Sequence, residues 1–151
     1  MEDKKEELQV PGDHFALEID SDSRNEEFAR VVTAVFLSRL NPTLEELDDV
    51  KTAVSEAVTN AVIHGYGGER GIVRLEGWTE EQEFTVRVRD EGRGIRNIQQ
   101  AMEPMFTTDT TGERSGMGFS FMEAFMDELK VYSGKNSGTT VIMKKRIGVE
   151  N

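Results

Sequence analysis

The chain predicts an α+β fold: a two-layer sandwich, with a mixed or antiparallel β-sheet and helices on one face. Three observations predict it. Strand-like runs alternate apolar and polar residues, whereas three other stretches repeat apolar residues at helical spacing. The later strands follow one another as hairpin candidates instead of alternating singly with helices, which disfavours a parallel sheet. The length of 151 residues suits one domain.

The elements follow in chain order. Residues 1–12 are charged, end in Pro11-Gly12 and read as a flexible N-terminal extension. The domain spans 13–147, and 148–151 is a C-terminal tail. Phe15, Leu17 and Ile19 alternate with polar neighbours, predicting a half-buried strand. Ser23 and Glu26 have capping-box spacing before a helix running to about Leu40, with Phe28, Val31, Val32, Val35 and Phe36 on its core face. On this phase Arg30 and Leu37 point away from the core. Asn41-Pro42 ends the helix, and Thr43 with Glu46 forms a second capping box. The helix it opens runs to about His64, buries Leu47, Val50, Val54, Ala57, Val58 and Ala61, and stops at Gly65, Gly67 and Gly68. Strands at 71–78 and 83–89 flank an acidic turn. A short helix near 97–102, an irregular stretch at 107–116 and a helix at about 117–128 follow. Strands near 129–133 and 139–145 close the chain around Asn136-Ser137-Gly138.

Composition narrows the function. With 36% hydrophobic residues and 14 glycines the chain can bury a core. The absence of cysteine excludes disulfides, thiol catalysis and cysteine-ligated zinc, and two histidines cannot build a histidine-rich metal centre. The longest apolar run, Ala34 to Leu37, is far short of a membrane span, and the polar start MEDKKEE does not read as a signal peptide. A cytoplasmic protein is expected. Its net charge of −11 repels nucleic acid and anionic lipid, so neither is an expected partner.

Three motifs could carry chemistry. Glu56, Asn60 and His64, at i, i+4 and i+8, share a stripe at the edge of the long helix's apolar face. A glutamate there could accept a proton, and an asparagine carbonyl could ligate a hard cation. Taken alone, this helix is read more readily as a solvated stripe with an ordinary Glu–Asn pair. Asp90-Glu91-Gly92-Arg93-Gly94 directly follows a strand. Its carboxylate could accept the exocyclic N–H of adenine while the glycines admit a flat ring. An ordinary turn has the same composition. Gly112, Gly116 and Gly118 precede a helix whose N-terminus could hold an anion, with Arg114 as a forked cation; a flexible loop with a glycine stop is the plain alternative. No Gly-Lys-Ser/Thr follows, which excludes a Walker P-loop, and no HRD, VAIK or DFG set is present.

The order of these motifs is more specific than any one of them. Acid–x3–Asn on a helix, DxGxG after a strand and GxxxGxG before a helix resemble the nucleotide site of the GHKL ATPases, a superfamily spanning gyrase-type topoisomerases, heat-shock chaperones, histidine kinases and mismatch-repair proteins. Within it, SEAVTNAVIHGY (55–66), RDEGRGI (89–95), PMFTT (104–108) and ERSGMGFSFMEAFMDEL (113–129) resemble the anti-sigma-F family of sporulating bacteria, which are serine kinases. The similarity runs from about Phe15 to about Lys145.

That resemblance implies ATP and Mg²⁺ as cofactors. It places adenine on Asp90, with Gly92 and Gly94 making room and Thr140 as a second adenine-side contact. Asn60 would hold Mg²⁺. Thr107, Thr108, Arg114, Ser115, Gly116, Met117 and Gly118 would line or close over the nucleotide. Glu56 would serve as general base, or orienter, for a serine hydroxyl. The implied partners are a sigma factor of the sigma-F type, held inactive, and an anti-anti-sigma protein that is the serine phosphoacceptor. A homodimer is implied, and Arg30 matches a partner-contact position. Two rivals stay open: a stress-type anti-sigma kinase and an ATP-gated switch without turnover. A histidine-kinase catalytic domain would need a phosphoacceptor helix, for which the 12-residue extension is too short.

Overall fold

A computed structural model describes residues 12–93, 118–134 and 137–148. Five strands and three helices form the two-layer α+β sandwich expected from the periodicities. Strand β1 is His14–Asp20, β2 is Ile72–Glu80, β3 is Glu83–Asp90, β4 is Glu128–Ser133 and β5 is Thr139–Arg146. They lie in the order β1-β2-β3-β5-β4. Each of the four pairings is antiparallel, so the described sheet is antiparallel and not mixed. Two of these pairings, β2–β3 and β4–β5, are consecutive hairpins, which pair antiparallel. The short helix near 97–102 and the irregular stretch at 107–116 fall outside the described residues.

Helix α2, Leu44–Thr59, is the centre of the helical layer. Its predicted capping box forms. The Thr43 hydroxyl accepts the Glu46 N–H at 3.0 Å, and the Glu46 carboxylate accepts the Thr43 N–H at 2.9 Å. Val50, Ala53, Val54, Ala57 and Val58 are buried along it. The helix continues as a π-helical turn, Asn60–Gly65, so the expected end near His64 holds but the winding widens at Asn60. Tyr66 N–H donates to Ala61 C=O at 3.0 Å across that wider turn. Such single π-turns recur at functional sites.

Helix α1, Asn25–Leu37, departs from expectation in two ways. Its core face is Ala29, Thr33, Phe36 and Leu37, whereas Phe28, Val31 and Val35 are 49%, 48% and 66% exposed. Leu37, expected to point outward, is fully buried. Size explains the difference. Ala29 permits close packing on α2, and Thr33 can be buried because its hydroxyl donates to Ala29 C=O at 2.8 Å. A face chosen by bulk alone therefore has the wrong phase. The Ser23–Glu26 capping box is also absent. Asp22 Oδ1 accepts the Arg24 N–H at 2.9 Å instead, and the Glu26 carboxylate turns toward α2. Helix α3, Gly118–Phe125, packs on α2 from the other side and buries Phe119 and Met122.

On the sheet face away from the helices, Glu76 is only 4% exposed, yet it is charged. Its Oε1 accepts from Arg87 Nε at 2.8 Å, and Arg74 and Arg89 lie at 3.5 and 4.0 Å. Burial raises its pKa, but the Arg87 hydrogen bond and the three guanidinium charges outweigh that and hold it below the usual glutamate range. A carboxyl depressed in the folded state stabilises the fold above its ordinary titration range, and that contribution is lost as pH falls through the depressed value. Glu76→Gln is therefore expected to lower stability at neutral pH by about 1–2 kcal/mol. Urea melts at stepped pH should show the deficit shrinking below about pH 4.

Candidate functional site

The site is assembled around the α2–π helix. Glu56 and Asn60 lie one turn apart on it, and Gly118, the first residue of α3, sits directly against both. A Cβ on Gly118 would lie 3.1 Å from Asn60 Nδ2 and 3.3 Å from Glu56 Oε1. Two motifs separated by over fifty residues thus come together, and the bare α-carbon of Gly118 leaves room beside the two side chains. The N-terminus of α3, whose first backbone N–H groups have no partner within the helix, lies beside the Glu–Asn pair. The amide nitrogen of Asn60 is buried with no hydrogen-bond partner. A buried amide without a partner is costly unless a ligand satisfies it. The asparagine pairs an unspent donor, suited to a phosphate oxygen, with a carbonyl of the hard-oxygen type that Mg²⁺ takes.

Just beyond Asn60, where the same helix ends at Gly65, stands the turn after β3. Asp90 is 8% exposed, and its carboxylate packs on Gly65, where a Cβ would lie 2.8 Å from Oδ1. Gly92 N–H donates to Asp90 Oδ1 at 2.9 Å. Burial pushes the Asp90 carboxyl above its usual range, against the pull of the Gly92 and Thr139 backbone N–H groups. Gly92 lies so close to the helix end that a Cβ would be 2.0 Å from Gly65 O. Arg93 completes the contact: its N–H donates to Gly65 C=O at 2.9 Å and its Nε to His64 C=O at 2.8 Å. A cation on the last carbonyls of a helix is favourable. Tyr66 adds a bolt, accepting the Glu91 N–H at 2.8 Å and donating to Ile72 C=O at 2.6 Å.

The β4–β5 hairpin closes a third side. Gly138 N–H donates to Gly92 C=O at 3.1 Å, and Asp90 pairs across the ladder with Thr139. Thr139 is buried, and its hydroxyl lies 2.8 Å from Ser133 Oγ. Thr140 pairs with Arg89, so strand alternation turns it to the opposite sheet face. The threonine on the Asp90 side is Thr139, one residue earlier than expected. Asn136-Ser137-Gly138 looked like a turn, and only the ladder register reveals which of two adjacent threonines faces inward.

Of the expected site residues, Glu56, Asn60 and Gly118 form one cluster, and Asp90 and Gly92 form another on the same helix. Gly94, Thr107, Thr108, Arg114, Ser115, Gly116 and Met117 lie outside the described residues. Arg30 is half-buried on α1 and pairs with Glu27 at 2.6 Å. Gly65, Tyr66, Arg93 and Thr139 were not singled out as site residues. Gly65 carried a signal as a helix stop, but its role as the seat of Asp90 is purely tertiary. Among the described residues no cluster of His, Cys, Asp and Glu could hold a metal, and no helix is long and apolar enough to cross a membrane.

The family model for the histidine kinase-like ATPase domain matches residues 20–145. An anti-sigma F factor of Clostridium acetobutylicum is 58% identical over 84% of this chain and 89% of its own. That of Clostridium novyi is 53% identical over 91% of this chain and 97% of its own. Among solved structures, the RsbU and RsbW domains of a Mycobacterium tuberculosis protein superpose with a TM-score of 0.65 at 21% identity, over 91% of this chain and 32% of that one. The catalytic domain of the histidine kinase ThkA gives 0.51 at 16% identity, over 88% and 96%. At those identities the two structures speak to the fold.

Proposed function

The chain belongs to the histidine kinase-like ATPase domain family and, within it, to the anti-sigma F factors, and from that premise we propose that it is an ATP-dependent protein serine kinase. It holds a sigma factor of the sigma-F type inactive and phosphorylates a serine of the anti-anti-sigma protein that displaces it. The observation that carries this reading is the meeting of Glu56, Asn60 and Gly118 on the helix whose C-terminal end seats Asp90.

The roles follow from chemistry. Asp90, dry and held by Gly92 N–H, presents an acceptor for the adenine amino group, and Thr139 stands beside it. Asn60 fits both a metal ligand and a phosphate donor. When bound, Mg²⁺ neutralises charge on the triphosphate. The N–H groups at the start of α3 face the same phosphates. Glu56, one helical turn from Asn60, accepts the proton of the serine hydroxyl as it attacks, or orients that hydroxyl. Phosphoryl transfer needs little else from a protein than such positioning and charge neutralisation.

Helix α1 is proposed as partner-facing, with Arg30 as one contact and a homodimer as the working unit. The exposed Phe28, Val31 and Val35 support the presence of an interaction face on α1, since they lie on its solvent side. The test is direct. Purified chain is mixed with labelled ATP, Mg²⁺, a sigma factor of the sigma-F type and an anti-anti-sigma protein. Phosphoserine on the latter, together with a nucleotide-dependent sigma complex, is expected. Complexes without phosphoserine would leave only an ATP-gated switch.

A further inference from the structure

The Glu26 carboxylate, in the first turn of α1, spans to two hydroxyls of α2. Ser55 Oγ donates to its Oε1 at 2.6 Å, and Thr59 Oγ1 donates to its Oε2. Both hydroxyl residues are buried, at 7% and 5% exposure. Ser55 and Thr59 immediately precede Glu56 and Asn60, so the two pairs form neighbouring stripes about 100° apart around one helix. Both oxygens of one carboxylate are therefore spent on the stripe beside the proposed chemical stripe.

We infer that Glu26 is a positioning residue: a clamp that sets the rotation of α2, and so the aim of Glu56 and Asn60 at the start of α3. This rests on the function proposed above. Close packing of the valine and alanine face sets how α2 seats, and the two directional hydrogen bonds from Ser55 and Thr59 pin its rotation on the side next to Glu56 and Asn60. The clamp also grips where rotation matters most. Thr59 is the last α-helical residue and Asn60 the first of the π-turn, so winding changes at the residue held. A carboxylate at α1's first turn is ordinary helix chemistry, but one that reaches two buried hydroxyls on another helix is not accounted for by the α1 dipole.

The test uses the full chain with Glu26→Ala, Glu26→Gln, and Ser55→Ala combined with Thr59→Val, in the absence of any sigma factor. Glu26→Ala is expected to raise the Mg²⁺ concentration needed for half-maximal ATP binding. It should also lower the rate of phosphoryl transfer at saturating ATP roughly 10- to 100-fold. Glu26→Gln, which keeps an acceptor, should recover much of the rate. The Ser55/Thr59 variant should match the loss, and adding Glu26→Ala to it should cost nothing further, because coupled residues are non-additive. Unchanged Mg²⁺ dependence and rate, or fully additive losses, would overturn the clamp. So would an effect of Glu26 confined to partner affinity. Amide exchange over 55–62 without nucleotide reads the clamp separately: it should quicken in Glu26→Ala, and unaltered exchange overturns the inference. A wild type that binds no ATP overturns the kinase reading by itself.

Discussion

Glu56→Ala is expected to lower phosphoryl transfer to the anti-anti-sigma protein by about 10²–10⁴-fold while leaving ATP affinity nearly unchanged. The split follows from position. Asn60, the N-terminus of α3 and the Asp90 turn hold the nucleotide in this reading, and the Asp90 turn is held by Gly92, Arg93 and Gly65. Glu56 lies beside Gly118, where a serine hydroxyl would approach the phosphates. A group that acts only as the reaction proceeds changes the rate and spares ground-state binding. Glu56→Gln keeps the size and hydrogen-bonding reach but cannot take the proton. It should therefore be nearly as inactive if Glu56 is the base, and should retain much of the rate if Glu56 only orients. Single-turnover transfer with labelled ATP, alongside calorimetric ATP titration, measures both quantities. Loss of ATP affinity equal to the loss of rate would remove Glu56 from the chemistry.

Asp90→Asn is expected to weaken nucleotide binding by about 2–3 kcal/mol, roughly 30- to 150-fold in Kd. The substitution keeps nearly the same volume against Gly65 and one oxygen for the Gly92 N–H, while the Thr139 N–H loses the pull of a full carboxylate. The second oxygen becomes an N–H₂ donor and meets the adenine amino group donor to donor. Asp90 is itself buried, so the new donor has little access to water, which gives the change its size. The wild type has a further signature. Burial raises the Asp90 pKa, so protonation removes the acceptor at a higher pH than for an ordinary aspartate. ATP affinity should therefore fall on acidification in the wild type, with a limb that Asp90→Asn lacks. Calorimetry at stepped pH on both proteins measures it, and identical pH profiles would end the adenine assignment.

What was legible in the sequence was local. The Thr43–Glu46 capping box, the apolar stripe of α2 and the alternation of Phe84, Val86 and Val88 each concern residues within a turn or a strand of one another. Periodicity and hydrogen bonding at that range leave few alternatives. The order of the three motifs was legible too, and it pointed to a nucleotide site before any geometry was known. The phase of α1 was not legible. Phe28, Val31 and Val35 are apolar and well spaced, yet the face that fits α2 is set by the small Ala29 and the self-satisfied Thr33. Nor could the sequence tell that Glu26 would leave Ser23 for hydroxyls about thirty positions away, since local and distant donors compete for one carboxylate.

The amino-acid sequence by itself determined the class of fold, the helix that bears Glu56 and Asn60, and the family to which the chain belongs. Tertiary structure alone decided that Gly118 touches that pair, that Gly65 seats Asp90, and that Thr139 rather than Thr140 faces the site. The physical reason is one of range. Spacing along a chain dictates which side of a helix or strand a residue occupies relative to its neighbours. Which side meets another element depends on close packing and ladder register, and a shift of one residue in either exchanges the inside for the outside.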